Sequence, residues 1–173
     1  LIRKRWIIWS QMRKGINTKS NSLFNRCDNY STMKEAFDLL FEYIDVKNKN
    51  VWFPFYHEGL INTYKFDCNI IHNDNDFFEP NEECDFIIDT PPFSIKQKIF
   101  ERCIVLNKPF CLLVPIDTLE RQYISTLFKN KDFTIIIPLK RYNFINQSKS
   151  VTMGFKCCWF CYGFNLGRNL IFE

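Results

Sequence analysis

The stretch CDFIIDTPPFSIKQKIFERCIVLNKPFCLLVP, Cys84 to Pro115, holds two short apolar runs separated by a segment of helical period. Cys84–Ile88 and Pro109–Val114 have the length of strands, whereas Ile95, Ile99, Cys103 and Leu106 fall on one face of a helix with Ser94 as its N-cap. Strand, helix and strand in that order make a parallel crossover. Between the first strand and the helix stand Thr90, Pro91, Pro92 and Phe93. Two consecutive prolines fix two φ angles, remove two N–H donors and hold Thr90 in extended geometry, so the chain leaves the sheet through a rigid bend. The free carbonyls of such a bend point outward, and the ring of Phe93 beside them offers a flat face for a planar base. The same residues also suit a plain strand-to-helix turn with Phe93 in the core.

The alternation continues on both sides. Val51–Tyr56, Asn69–His72 and Thr134–Ile137 read as strands, followed by a β-rich end over Phe155–Phe164. A helix is expected over about Met33–Ile44, with Thr32 and Glu35 spaced as a capping box, and another in DTLERQYISTLF, capped by Asp117. Strands alternating with helices predict an α/β fold: a doubly wound, mostly parallel sheet with helices on both faces. Ligands of such sheets bind at the carboxyl ends of the strands, so the residues closing each run are the candidates.

The first run closes in FPFYHEG, where a turn at Gly59 leading into a helix suits either the polar end of a nucleotide-like ligand or an ordinary turn. The second closes in IIHNDNDFF. A carboxylate at Asp74 or Asp76 can accept two hydrogen bonds from a ribose diol, or can belong to a solvated turn. His72 can pair with a carboxylate or cap the strand. Cys158 and Cys161 form a lone CxxC, and residues three apart in a strand face opposite sides, so no metal site is expected.

At 173 residues and 46% apolar composition the chain fits one domain with a real core. It begins at Leu1, and we read it as a piece of a longer or processed chain. No run is apolar enough to span a membrane as a helix and no leader pattern opens the sequence, which predicts a soluble intracellular protein without a membrane partner. The eight cysteines sit mostly in apolar runs and read as reduced packing residues. Residues 1–27 carry Arg3, Lys4, Arg5, Arg13, Lys14, Lys19 and Arg26 with no acidic residue, more than the net charge of +4. This basic N-terminal arm, preceding a domain over 28–173, either steers towards nucleic acid or is a solvated tail.

Taken in order, YST, PFYxxG, IIHxDxDFF, TPPFS, NKPFCLLVP, IIIPLKRYNF and CCWFCY resemble the adenine-N6 methyltransferases that use S-adenosylmethionine, especially the compact type of large DNA viruses and phages. The likeness spans about residues 28 to 166. It implies a seven-stranded, Rossmann-like methyltransferase sheet with an antiparallel last strand, and a DNA or RNA substrate. It also implies that Tyr30, Thr32, Pro54, Phe55 and Gly59 line the S-adenosylmethionine site, with Asp74 or Asp76 on its ribose or adenine. Thr90, Pro91, Pro92 and Phe93 would form the catalytic signature, in which the base stacks on the aromatic ring. Lys140, Arg141 and Phe144 would face the nucleic acid.

Two positions depart from the family pattern. The residue before the prolines is normally Asn or Asp, and here is Thr90; an acidic residue normally precedes PF, and here Phe53 stands in its place. Adenine's amine is a poor nucleophile, and both its hydrogens must be held for its lone pair to turn to the sulfonium methyl. A threonine hydroxyl reaches less far than Asn and carries no charge. Asp89 would point to the opposite face from Thr90. The sequence therefore leaves three readings: an impaired methyltransferase, a catalytically inactive methyltransferase-like module that binds nucleic acid or a partner subunit, and a generic nucleotide-binding α/β domain.

Overall fold

The computed structural model describes residues 30–55, 59–73, 75–79, 82–146 and 149–173. The basic arm lies outside them. The continuous apolar runs become the middle of a seven-stranded sheet. It comprises β2 (Asn50–Trp52), β3 (Asn69–Ile71), β4 (Phe86–Asp89), β5 (Phe110–Pro115), β6 (Phe133–Ile137), β9 (Cys157–Tyr162) and β10 (Leu170–Phe172). Their order is β10-β6-β9-β5-β4-β2-β3. All pairings are parallel except those of β9, which runs antiparallel between β5 and β6. From β2 the chain steps outward to β3 and then returns to β4 on the other edge of β2. The protein is thus α/β with a mostly parallel sheet.

Every residue of β5 is buried, because both of its faces are covered. The cover follows from β9, where neighbouring side chains point to opposite faces. Trp159 meets Phe37 of α1 (Lys34–Phe41) at a centroid distance of 5.5 Å and donates its indole N–H to the Ala36 carbonyl at 2.9 Å. Phe160 meets Phe100 of α2 (Lys96–Leu106) at 6.0 Å, and Phe100 in turn meets Phe128 of α3 (Gln122–Phe128) at 5.8 Å. One helix therefore covers one face and two helices cover the other. Helix α2 stops at Asn107, whose φ of 52° is tolerated by Asn, and Pro109 follows.

A second sheet, of order β1-β7-β8, stands beside the first: β1 is Ser31–Thr32, β7 Asn143–Asn146 and β8 Lys149–Thr152. Thr32 pairs with Phe144 across it.

Several expectations are corrected here. Thr32 is a strand residue and Met33 is the N-cap of α1, so no capping box forms; the Thr32 hydroxyl is drawn instead to a partner far along the chain. Ser94 falls inside a single 3₁₀ turn, Phe93–Ile95, and α2 starts after Ile95. The segment expected to follow Asp117 as one helix divides into a 3₁₀ turn, Ile116–Glu120, and α3. The antiparallel strand is not the last: β10 follows it and pairs parallel with β6.

Candidate functional site

Because β2, β4, β5 and β6 point the same way, the segments leaving them share one edge of the sheet. Two of these, after β2 and after β4, meet through hydrogen bonds. Asp89, the last residue of β4, is 1% exposed. Its Oδ2 accepts the backbone N–H of Phe55 at 2.8 Å and its Oδ1 that of Thr90 at 2.7 Å. One carboxylate thus ties the FPF segment after β2 to the proline bend after β4. Burial pushes the Asp89 carboxyl up to about 8, against the pull of the two N–H donors.

Thr90, on the opposite face, receives a hydrogen bond from the Thr32 hydroxyl at 2.5 Å, and both residues are buried. The Thr32 carbonyl accepts from the hydroxyl of Tyr64 at 2.8 Å. The small sheet, the bend and the turn Leu60–Thr63 are therefore fastened at one threonine. We expect Thr32→Val or Thr90→Val to cost about 1 to 3 kcal/mol, because each breaks the hydrogen bond between two buried hydroxyls. The double variant, with neither hydroxyl present, recovers part of that loss. Urea midpoints of the three proteins test this, and additive losses would contradict it.

The aromatic residue of the bend does not stand as expected. Phe93 is 7% exposed, and its ring packs edge-on against Phe155, with centroids 5.9 Å and planes 70° apart. The expectation of an outward-facing ring is corrected: the loop between β8 and β9 supplies a second aromatic that covers it. Pro91 is buried and Pro92 half-buried beside it.

The positions expected to form a cofactor loop are also filled from within. Phe53 is fully buried, stacked on Phe66 at 5.9 Å with planes 21° apart, and edge-on to Phe37 at 5.8 Å. Phe37 meets Tyr64 and Phe66 at 6.3 and 5.6 Å as well. Pro54 and Phe55 are buried, the latter against Phe77 at 5.3 Å, and Tyr30 is half-buried. Gly59 adopts a φ of 73°, which favours glycine, but it introduces a single 3₁₀ turn rather than an α-helix.

Of the two acidic candidates, Asp74 lies outside the described residues. Asp76 is exposed and its Oδ1 accepts the N–H of Phe78 at 2.9 Å, a local turn. His72 sits with Nδ1 2.7 Å from the Phe53 carbonyl, so Nδ1 carries the proton that the carbonyl accepts; burial lowers its pKa.

Of the residues expected to face nucleic acid, Lys140 and Arg141 are exposed on the segment leaving β6. Phe144 is 2% exposed in β7, so its expected place at the substrate is corrected: the small sheet buries it opposite Thr32. Cys158 and Cys161 lie on opposite faces of β9, and the cysteines among the described residues are free thiols. Residues the sequence did not single out are Tyr64, which closes over β1, Phe155, which covers Phe93, and Lys156. The Nζ of Lys156 donates to the carbonyls of Pro138 and Leu139 at 2.9 and 3.2 Å.

The edge thus offers donors and acceptors that are largely spent on one another, an aromatic interior, and a basic rim. Compared with known proteins, the chain matches no family profile and no curated protein.

Proposed function

We propose that this chain is an adenine-N6 methyltransferase-type domain that binds nucleic acid through its basic rim and transfers no methyl group on its own. The observation that carries this reading is the burial of Phe93, 7% exposed against Phe155, beside a Thr90 hydroxyl bonded to Thr32. A transferase needs that ring free to stack on the base and an acceptor free to hold its amine. The residues present do not fit S-adenosylmethionine either. Where a carboxylate would meet the cofactor's positive groups, Phe53 is locked among aromatic rings.

The methyltransferase parentage draws on the motif order of the sequence and on the topology, which we read as a doubly wound, Rossmann-like sheet. The order of the strands reverses between β2 and β4, which run parallel, and an antiparallel strand is inserted between β5 and β6. The nucleic-acid side draws on charge. Residues 138–156 contain Lys140, Arg141, Lys149 and Lys156 and no Asp or Glu, and the first three are exposed.

A second reading, an active S-adenosylmethionine-dependent enzyme on DNA or RNA, is favoured by one observation. Phe155 belongs to a short connection between strands, so its displacement would uncover Phe93 without breaking a sheet.

Calorimetric titration with S-adenosylmethionine, followed by methyl-transfer assays on adenine-containing DNA and RNA, separates the two. We expect no heat at millimolar cofactor and no labelled product, while labelled duplex is bound. Saturable micromolar binding with transfer to adenine would establish the enzyme instead. No binding of nucleic acid at any salt concentration would remove the basic rim as an interface.

A further inference from the structure

Within the basic rim one side chain is of the wrong kind. Leu139 is 73% exposed, directly before Lys140 and Arg141. A single exposed leucine is ordinary, but this one stands on a backbone that is held still. The carbonyls of Pro138 and Leu139 both accept from Lys156 Nζ, at 2.9 and 3.2 Å. The Lys156 carbonyl in turn accepts the N–H of Ile116 at 2.9 Å, which brings a second partly exposed aliphatic residue, 37% exposed, to the same lysine. The nearby carboxylate of Asp117 is engaged by Arg121 at 3.5 Å.

From this arrangement we infer that Leu139 is an apolar wedge, carried beside the phosphate-binding cations Lys140 and Arg141, that enters a base step of a base-paired duplex and partly unstacks it. The inference rests on the nucleic-acid reading of the preceding section. Its chemistry is complementary on both counts: Lys140 and Arg141 meet phosphates, which positions the loop without reading sequence, and the aliphatic side chain replaces base–base contact at the opened step. Unstacking opposes binding, and the cationic contacts offset that cost. A protein surface with alternating charges would find no counterpart in a rim that lacks any carboxylate over residues 138–156.

The test uses the full chain with short DNA and RNA duplexes carrying 2-aminopurine, whose fluorescence rises when it unstacks, and reads binding separately by anisotropy across salt concentrations. The wild type is expected to bind and to raise the fluorescence of at least one duplex several-fold. Leu139→Ala should abolish the rise and weaken binding by about tenfold, with the same salt slope. Lys140→Gln and Arg141→Gln should each reduce the slope by about 0.9 per lost phosphate contact on DNA. Binding by the wild type without any fluorescence rise, or an undiminished rise with Leu139→Ala, overturns the wedge and leaves the nucleic-acid reading standing. Absence of binding to both duplexes overturns both.

Discussion

Replacing Phe53 with Glu is expected to abolish folding, and replacing it with Ala to cost about 3 to 5 kcal/mol. Phe53 is fully buried, stacked on Phe66 and edge-on to Phe37, and its backbone is held on both sides: its N–H donates to the Ile71 carbonyl at 2.9 Å and its carbonyl accepts from His72. Truncation to Ala leaves a cavity in a site whose neighbours belong to a sheet and a helix and cannot collapse far. A glutamate there would place a carboxyl among aromatic rings with no donor to receive it, either ionised at heavy desolvation cost or neutral and unsatisfied. Urea denaturation followed by circular dichroism and tryptophan fluorescence measures both variants. A Phe53→Glu protein that folds within about 1 kcal/mol of wild type would show that this position is not part of the core. An acidic side chain cannot simply be placed at position 53, because the surrounding rings fill the space around it.

What the sequence disclosed follows from length and from locality. The runs around Ile87 and Leu112 are continuous, apolar and flanked by prolines, so strand β4, helix α2 and strand β5 were legible to within a residue or two. Strands β7, β8 and β10 were not. NFIN and KSVT are four residues long and at least half polar, and LIF is only three residues long, so each becomes a strand only because a neighbour offers its edge. The capping box at Thr32 was a sound local signal that lost to a tertiary one, since the hydroxyl of Thr90 lies within reach and α1 starts one residue later.

At the site, the alternation that sends Asp89 and Thr90 to opposite faces was legible, and each indeed meets a different partner: the Phe55 N–H for one side chain and the Thr32 hydroxyl for the other. The exposure of an aromatic side chain was not. Nothing near Phe93 in sequence announces that Phe155 covers it, and the run WFPF gives no sign of which ring points inward. Residue types proclaim chemistry, whereas burial depends on segments that arrive from elsewhere in the chain.

Stability should fall as pH rises from about 4 to about 8, and Asp89→Asn should remove that part of the dependence. In the folded protein burial pushes the Asp89 carboxyl from 3.8 up to about 8, whereas in the unfolded chain it ionises near its ordinary value. Between these limits the native state holds the proton that the unfolded state has released. Each rise in pH therefore favours unfolding, by at most about 1.4 kcal/mol per unit for a single group, and the effect levels off above the folded value. The two backbone N–H donors at 2.8 and 2.7 Å favour the ionised form and are already contained in the folded value, so the loss across the window is at most about 6 kcal/mol. Asn keeps one acceptor but turns an amide donor towards the other N–H, so the variant starts below wild type at pH 5. It should gain on wild type as the pH approaches 9. The other titratable groups are the same in both proteins, and their contributions cancel in the difference between the two curves. Urea midpoints at several pH values between 5 and 9 provide the test; parallel curves for wild type and Asp89→Asn would mean that the carboxylate between Phe55 and Thr90 is already ionised at pH 5 and that its two hydrogen bonds, rather than its burial, set its charge.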